Sequence, residues 1–434
     1  MSSKQGRAIR LRVAALGAML AAVAAVSGFS RTGGLVVSGF SQALGATSVS
    51  QSVDAAREVR ALWVVRTTLT SPAAIETMVK AARAGGFNTL LVQVRGRADA
   101  YYASGLEPRP SSLAAQPAFD PLATAIAQAH DAGLQVHAWV NVNLVAGVGD
   151  LPAAREHVIY RHPEWIMVPR ALAEDLATID PKSPQYLGRI TRYVRGRANE
   201  LEGLYLSPMA PGAVEYTVDV VRDIAERYQV DGVHLDYLRY PSDQFDYSRD
   251  ALAAFRQNVG ADLSIADRQK YDRRLAGEPL IYTLAFPERW RAFRAGRLTS
   301  LLERMRDAVR RARPEAVLSA AVLPDAEDAA ARHLQNWTTW AERDLIDVVC
   351  PMAYTTDAAT FVAQIASART AAGRHPLWAG IGAYRLSSAQ IVDNVQAARR
   401  LGVNGMILFS YDSLTGPTRG PEYLTQVGRA AFMQ

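Results

Sequence analysis

Cysteine is almost missing from this sequence: Cys350 is the only one in 434 residues. A single thiol rules out an intramolecular disulfide and a cysteine metal site, and no cysteine lies near the N-terminus to take a lipid. Cys350 itself lies in an apolar run and reads as a small core residue. The seven histidines show no metal-ligand spacing. There is no H-E-x-x-H, no G-x-S-x-G nucleophile elbow and no P-loop. No metal and no cofactor is therefore expected.

Positive charge is concentrated rather than spread. Of the formal net charge of +6, five charges come from Lys4, Arg7, Arg10, Arg12 and Arg31, in a stretch without a single acid, so the rest of the chain is nearly neutral. No basic patch argues for nucleic acid. That same stretch continues into an apolar run from Val13 to Val26 and small residues around Ala43-Leu-Gly-Ala46, the layout of a secretory signal. The run is short of the ~20 residues of a membrane span. Residues 1–56 are thus read as a signal peptide or N-terminal anchor plus linker. The product is exported, to the periplasm or beyond, with membrane association only through that segment if it stays uncleaved.

What is abundant is hydrophobic side chain, 49% of the sequence, enough for a large core. From Arg57 onward a rhythm begins: an apolar strand, a polar or aromatic loop, a capped helix, and a glycine before the next strand. Strands are predicted at Val59–Arg66, Asn88–Arg95, Gln135–Asn143, Val233–Tyr237, Val317–Leu323, Asp347–Tyr354, Pro376–Tyr384 and Gly405–Tyr411. Ser71-Pro72 and Asp120-Pro121 should open helices that Gly85-Gly86 and Gly133 should close. Eight strands alternating with helices predict an α/β fold, a (β/α)8 TIM barrel over residues 57–434, with long insertions after strands three and four. A doubly wound open sheet is the other option, but no G-x-G-x-x-G follows the first strand.

The strands carry an unusual load. In Asp231-Gly-Val-His-Leu-Asp-Tyr-Leu-Arg-Tyr-Pro241, alternation sends His234 and Asp236 to one face and Val233, Leu235 and Tyr237 to the other. By the same parity Gln93 and Arg95 share a face, as do His137, Trp139, Asn141 and Asn143; Met352 and Tyr354; Trp378, Gly380, Gly382 and Tyr384; and Ser410 and Asp412. A barrel filled for stability alone favours Val, Ile and Leu inside. Carboxylates, amides, arginine and aromatics suit a carbohydrate: rings stack on sugars, amides and Arg bind hydroxyls, and two carboxyl groups break the glycosidic bond. Asp236 is the leading catalytic residue, with a structural ion pair to Arg239 as its plain alternative. Trp139 and Trp378 are either core filler or stacking platforms, and His137 and His234 are read as support beneath the mouth.

Several of these segments together resemble one family. Val92-Gln-Val-Arg95, Ala98-Asp-Ala-Tyr-Tyr-Ala-Ser104, Leu106-Glu-Pro108, His137-Ala-Trp-Val-Asn141, the strand containing Asp236, and Pro351-Met-Ala-Tyr354 are similar to the glycosyl hydrolase-like 10 family, from about Arg57 to about Asp412. These are bacterial envelope proteins with a TIM-barrel domain, many of them lipoproteins. The resemblance implies glycoside hydrolysis of an oligo- or polysaccharide; at least one member class cleaves peptidoglycan glycan stripped of peptide. By analogy with related retaining barrels it implies Asp236 as nucleophile. The proton donor is then sought among Asp357, ranked first, Asp412, Asp325 and Asp99. Donors such as Arg95, Arg239 or Tyr354 are expected to keep Asp236 ionised. Gln93, Arg95, Asp99, Tyr102, Trp139, Asn141, His234, Arg239, Tyr354, Trp378 and Tyr384 make up the expected substrate-binding set. The chain departs from the lipoprotein members in having no N-terminal cysteine, and from the family pattern in having Ala98 where a glycine usually precedes Asp99. A glycan-binding barrel without catalysis is the competing function; a metal-dependent hydrolase has little in the sequence to support it.

Overall fold

The computed structural model describes residues 58–420 and 422–433, so the signal or anchor expected before residue 57 lies outside the described residues. Among the described residues there are ten strands: β1 (Val59–Val64), β2 (Thr89–Arg95), β3 (Gln135–Asn141), β4 (Leu144–Gly147), β5 (Gly203–Tyr205), β6 (Gly232–Asp236), β7 (Val317–Val322), β8 (Val348–Ala353), β9 (Trp378–Ile381) and β10 (Gly405–Phe409). Eight of them, all but β4 and β5, close into one barrel in the order β1-β10-β9-β8-β7-β6-β3-β2. Every barrel pairing with a register is parallel, from Val59 beside Gly405 at the seam to Asn141 beside Asp236. The predicted TIM barrel is the fold observed.

The helix boundaries follow from local chemistry. Ser71 accepts from Ala74 N and starts the helix Pro72–Ala84, and Asp120 does the same for Pro121–Asp131 through Ala123 N. A reciprocal capping box between Ser387 and Gln390 opens Ser388–Arg400. Seven of the eight predicted strands, all but β2, run past the observed ends by one to three residues, and at β10 and β9 the cause is local. Ser410 leaves the sheet to cap the short helix Tyr411–Leu414, and Tyr384 lies in a single 3-10 turn beyond β9.

Both insertions follow strands at the C-terminal rim. The first contains β4 and β5, an antiparallel pair, and ends in the helix Pro211–Arg227; the second ends in the long helix Pro287–Ala312. Gly203 is required in β5 because a Cβ there would lie 1.8 Å from the carbonyl oxygen of Ala146 in β4. Inside the barrel, Trp63, Leu91, Trp139, Cys350, Trp378 and Ile407 form one apolar cluster, separate from the larger layer between strands and helices. His234 is satisfied within it: Trp63 Nε1 donates to its Nε2 at 3.0 Å, and its Nδ1 lies 2.8 Å from Ser319 Oγ. Burial holds His234 neutral, with its pKa pushed down to about 3.

Among the described residues no helix is long and apolar enough to cross a membrane, and no group of three or more His, Cys, Asp or Glu is placed to hold a metal.

Candidate active site

Asp236 ends β6 with its side chain buried inside the mouth, opposite Asn141. The next residue, Tyr237, adopts a left-handed φ of 52°, which an L side chain takes only at a cost. That turn aims the Tyr237 N–H at Asp236 Oδ1, at 2.6 Å. Trp139 Nε1 donates to Oδ2 at 3.1 Å. Burial raises the Asp236 pKa, and the two donors with Arg239 offset that only in part. Arg239 Nη1 is 3.9 Å from Oδ1, too far for a hydrogen bond.

The partner Arg239 does hold is Glu202, in the first insertion. Arg239 Nη2 donates to Glu202 Oε1 at 3.1 Å, and Tyr205 Oη donates to Oε2 at 2.9 Å. One planar guanidinium therefore spans two carboxylates, which places Glu202 and Asp236 within about 9 Å of each other. Glu202 also contributes to raising Asp236. Glu202 was not among the residues singled out from sequence. It lies 37 residues from Arg239, just before a strand of three residues, and carries no periodicity that marks it.

The other acids take different positions. Asp357 is exposed and caps the helix Ala358–Ala371, its Oδ1 accepting from Thr360 N at 2.7 Å and from Thr360 Oγ1. Those bonds lower its pKa, the reverse of what a proton donor needs. Asp412 fastens the barrel seam: its Oδ2 accepts from Val65 N at 2.8 Å and its Oδ1 from the hydroxyls of Thr67 and Thr68. Asp325 caps the helix Ala326–His333. Asp99 is at the mouth, accepting from Gly96 N and Arg97 N and facing Arg66 Nε at 3.7 Å. Ala98, the departure from the family pattern, has φ 51°, a conformation that favours glycine.

The expected binding residues divide by burial. Arg95 departs from the parity rule because β2 is bulged between Gln93 and Arg95. Its side chain points into the layer outside the barrel, where Nε pairs with Glu107 at 2.8 Å and Tyr216 Oη donates to the same carboxylate. Arg95 therefore does not bond Asp236, nor does Tyr354, which packs between Trp63 and Phe409. Gln93 and Asn141 are fully buried and link to each other at 3.4 Å. Arg66 donates to Gln93, and Asn141 to Gly96 O, which ties the loop after β2 to the strand ends. Trp139 and Trp378 are 2% and 5% exposed and present no open face to a sugar. Tyr102 is buried edge-on against Tyr228 in the outer layer. Half-buried Tyr237, Tyr384 and Phe409 stay within reach of solvent, and Tyr384 and Phe409 meet edge to face.

Comparison with known proteins agrees with this architecture. A glycosyl hydrolase YngK from Bacillus subtilis (strain 168) is 27% identical over 162 residues, which is 36% of this chain and 26% of that protein, so the match spans about a quarter of the relative. The glycoside hydrolase domain of PgaB (BpsB) from Bordetella bronchiseptica superposes with a TM-score of 0.58 at 15% identity, covering 85% of this chain and 98% of that one. A β-galactosidase from Bacillus circulans sp. alkalophilus gives 0.56 at 12% identity, covering 86% of this chain and 56% of that one. At such identities these structures speak for the shared barrel alone. The family model for glycosyl hydrolase-like 10 matches residues 58–395, well over half of the sequence, and the chain belongs to that family.

Proposed function

We propose that this chain hydrolyses glycosidic bonds in a polysaccharide, with the glycan of the bacterial cell wall as the first substrate to test. The observation that carries the reading is a pair of carboxyl groups at the barrel mouth in unlike surroundings. Asp236 is buried with a raised pKa, and Glu202 is bound to Arg239. Environments that separate two carboxyl groups in this way assign acid and base roles. In this scheme Asp236 gives its proton to the glycosidic oxygen as the bond to the anomeric carbon breaks. Glu202 takes a proton from water as that water attacks the carbon, or bonds to the carbon itself. Separations of ~5 Å and ~6.5–9.5 Å correspond to retention and inversion, and the anomer released first distinguishes them. Asp236 as donor differs from the nucleophile role that the family resemblance implies. Family membership supports a carbohydrate substrate.

The test incubates the purified chain with peptide-stripped peptidoglycan glycan and with α- and β-glucans, and measures new reducing ends. Release by the wild type, lost in both Asp236→Asn and Glu202→Gln, supports the proposal. Binding without release by the wild type sinks it in favour of a non-catalytic glycan-binding barrel.

A further inference from the structure

Alternation puts Tyr237 on the parity of Val233 and Leu235, but β6 ends at Asp236 and the left-handed φ of 52° breaks the pattern. The Tyr237 ring lies instead over the guanidinium of Arg239, whose Cζ is 4.3 Å from the ring centroid. Tyr205 meets the same ring edge to face at 6.1 Å and fixes it from the side of the first insertion. This guanidinium is the one that spans the two carboxyl groups: Nη2 donates to Glu202 Oε1, and Nη1 stands 3.9 Å from Asp236 Oδ1. Nη1 is buried and makes no hydrogen bond. An N–H in that position is costly, and water takes it wherever water can enter. The Tyr237 hydroxyl makes no hydrogen bond among the described residues, so the ring is what the residue brings to Arg239.

We infer that Tyr237 is a positioning residue for the carboxyl pair: its ring fixes the Arg239 guanidinium between Glu202 and Asp236 and keeps water from Nη1. A cation over a tyrosine face is held most firmly where water is excluded. The two carboxyl groups are then tied to one guanidinium unequally, Glu202 by a direct bond and Asp236 across a dry gap. Asp236 is also faced by Trp139 of β3 and by Tyr354 at the end of β8. The inference takes the pair from the proposed hydrolase reading but concerns only how the pair is held.

The test needs no glycan. The arginine reagent phenylglyoxal is applied to the full-length protein and its sites are read by peptide mass spectrometry. Asp236 is titrated through the Tm difference between each protein and its Asp236→Asn form across pH. In the wild type Arg239 should stay unmodified while the exposed Arg170 is consumed. Tyr237→Phe keeps the ring and should keep that protection. Tyr237→Gly deletes the ring, takes the left-handed φ without strain, and should lose it. Water admitted to Nη1 bridges a donor to Asp236 and favours its ionised form, so its titration should move down by about one pH unit in Tyr237→Gly. In Tyr237→Phe it should stay in place. Wild-type Arg239 consumed as fast as Arg170 overturns the inference without any variant having to fold. So does an Arg239 still protected in Tyr237→Gly, or an Asp236 titration that this variant leaves unmoved. Turnover of the wall glycan and the glucans by the wild type is scored separately. Protection and a displaced titration without turnover leave the positioning standing and remove the hydrolase reading; turnover with neither does the reverse.

Discussion

Trp139→Phe tests the Asp236 environment directly. The change keeps an aromatic ring inside the barrel and deletes one N–H, the donor 3.1 Å from Asp236 Oδ2. A hydrogen bond to a charged group contributes ~1.5–3 kcal/mol, and one pKa unit is about 1.4 kcal/mol, so the Asp236 pKa should rise by about one to two units. The direction is fixed because the donor favours the ionised form. Measuring kcat/KM against pH on a soluble oligosaccharide then reports the role as well as the shift. If Asp236 is the proton donor, activity is lost on deprotonation and the alkaline limb moves to higher pH. If it is the nucleophile, the acid limb moves instead. The fold should survive, since the loss is smaller than the ~3–5 kcal/mol of truncating a buried tryptophan to alanine. A profile with neither limb displaced, in a variant with unchanged circular dichroism, would refute the account of Asp236.

Four further outcomes follow from the same geometry. Glu202→Gln should lower kcat by about 10²–10⁴, whereas Asp357→Ala should cost about 1 kcal/mol of stability through its lost helix cap and leave kcat within a factor of about two; steady-state kinetics and thermal melts separate the two. Burial raises the Asp236 pKa, so its contribution to stability is full below the ordinary carboxylate range and is lost as pH rises through the folded value. The Tm of Asp236→Asn relative to wild type should therefore climb as pH rises above the ordinary carboxylate range, and a flat difference would contradict it. Glu107→Leu leaves Arg95 buried without its partner and should destabilise by about 3–5 kcal/mol in denaturant titration. Gly203→Ala forces β5 away from the Ala146 carbonyl and should reduce activity along with stability, since Glu202 precedes it; retained wild-type kcat would show that this hairpin does not position Glu202.

The barrel was legible because it is written in short-range patterns. Alternation fixed the strands, and Ser71-Pro72, Asp120-Pro121 and the glycines after the helices fixed much of their punctuation. Parity also put His234 and Asp236 on the inner face correctly, as the bonds to Trp63, Ser319 and Trp139 show. It failed at Arg95 because one extra residue in the β2–β3 ladder reverses a side chain without changing the apparent alternation. The second carboxylate was invisible for another reason. Glu202 reaches the mouth only through the β4–β5 pairing and Arg239, contacts between segments far apart in sequence. Asp357 and Asp412 follow strand ends as candidate acids should, but helix capping and seam closure place aspartates at the same positions.

The closure of β1 on β10 sets a practical limit on how the protein is divided. The family match stops at residue 395, before β10 begins at Gly405. A fragment cut there would lose β10, which pairs with Val59–Trp63 of β1 on one side and with Trp378–Ile381 of β9 on the other. Two rows of unpaired backbone groups, on β1 and β9, would then face solvent and recruit strands from neighbouring copies. Expression of residues 58–395 alone is therefore a recipe for aggregation, and the smallest soluble unit must carry β10 through its capping turn.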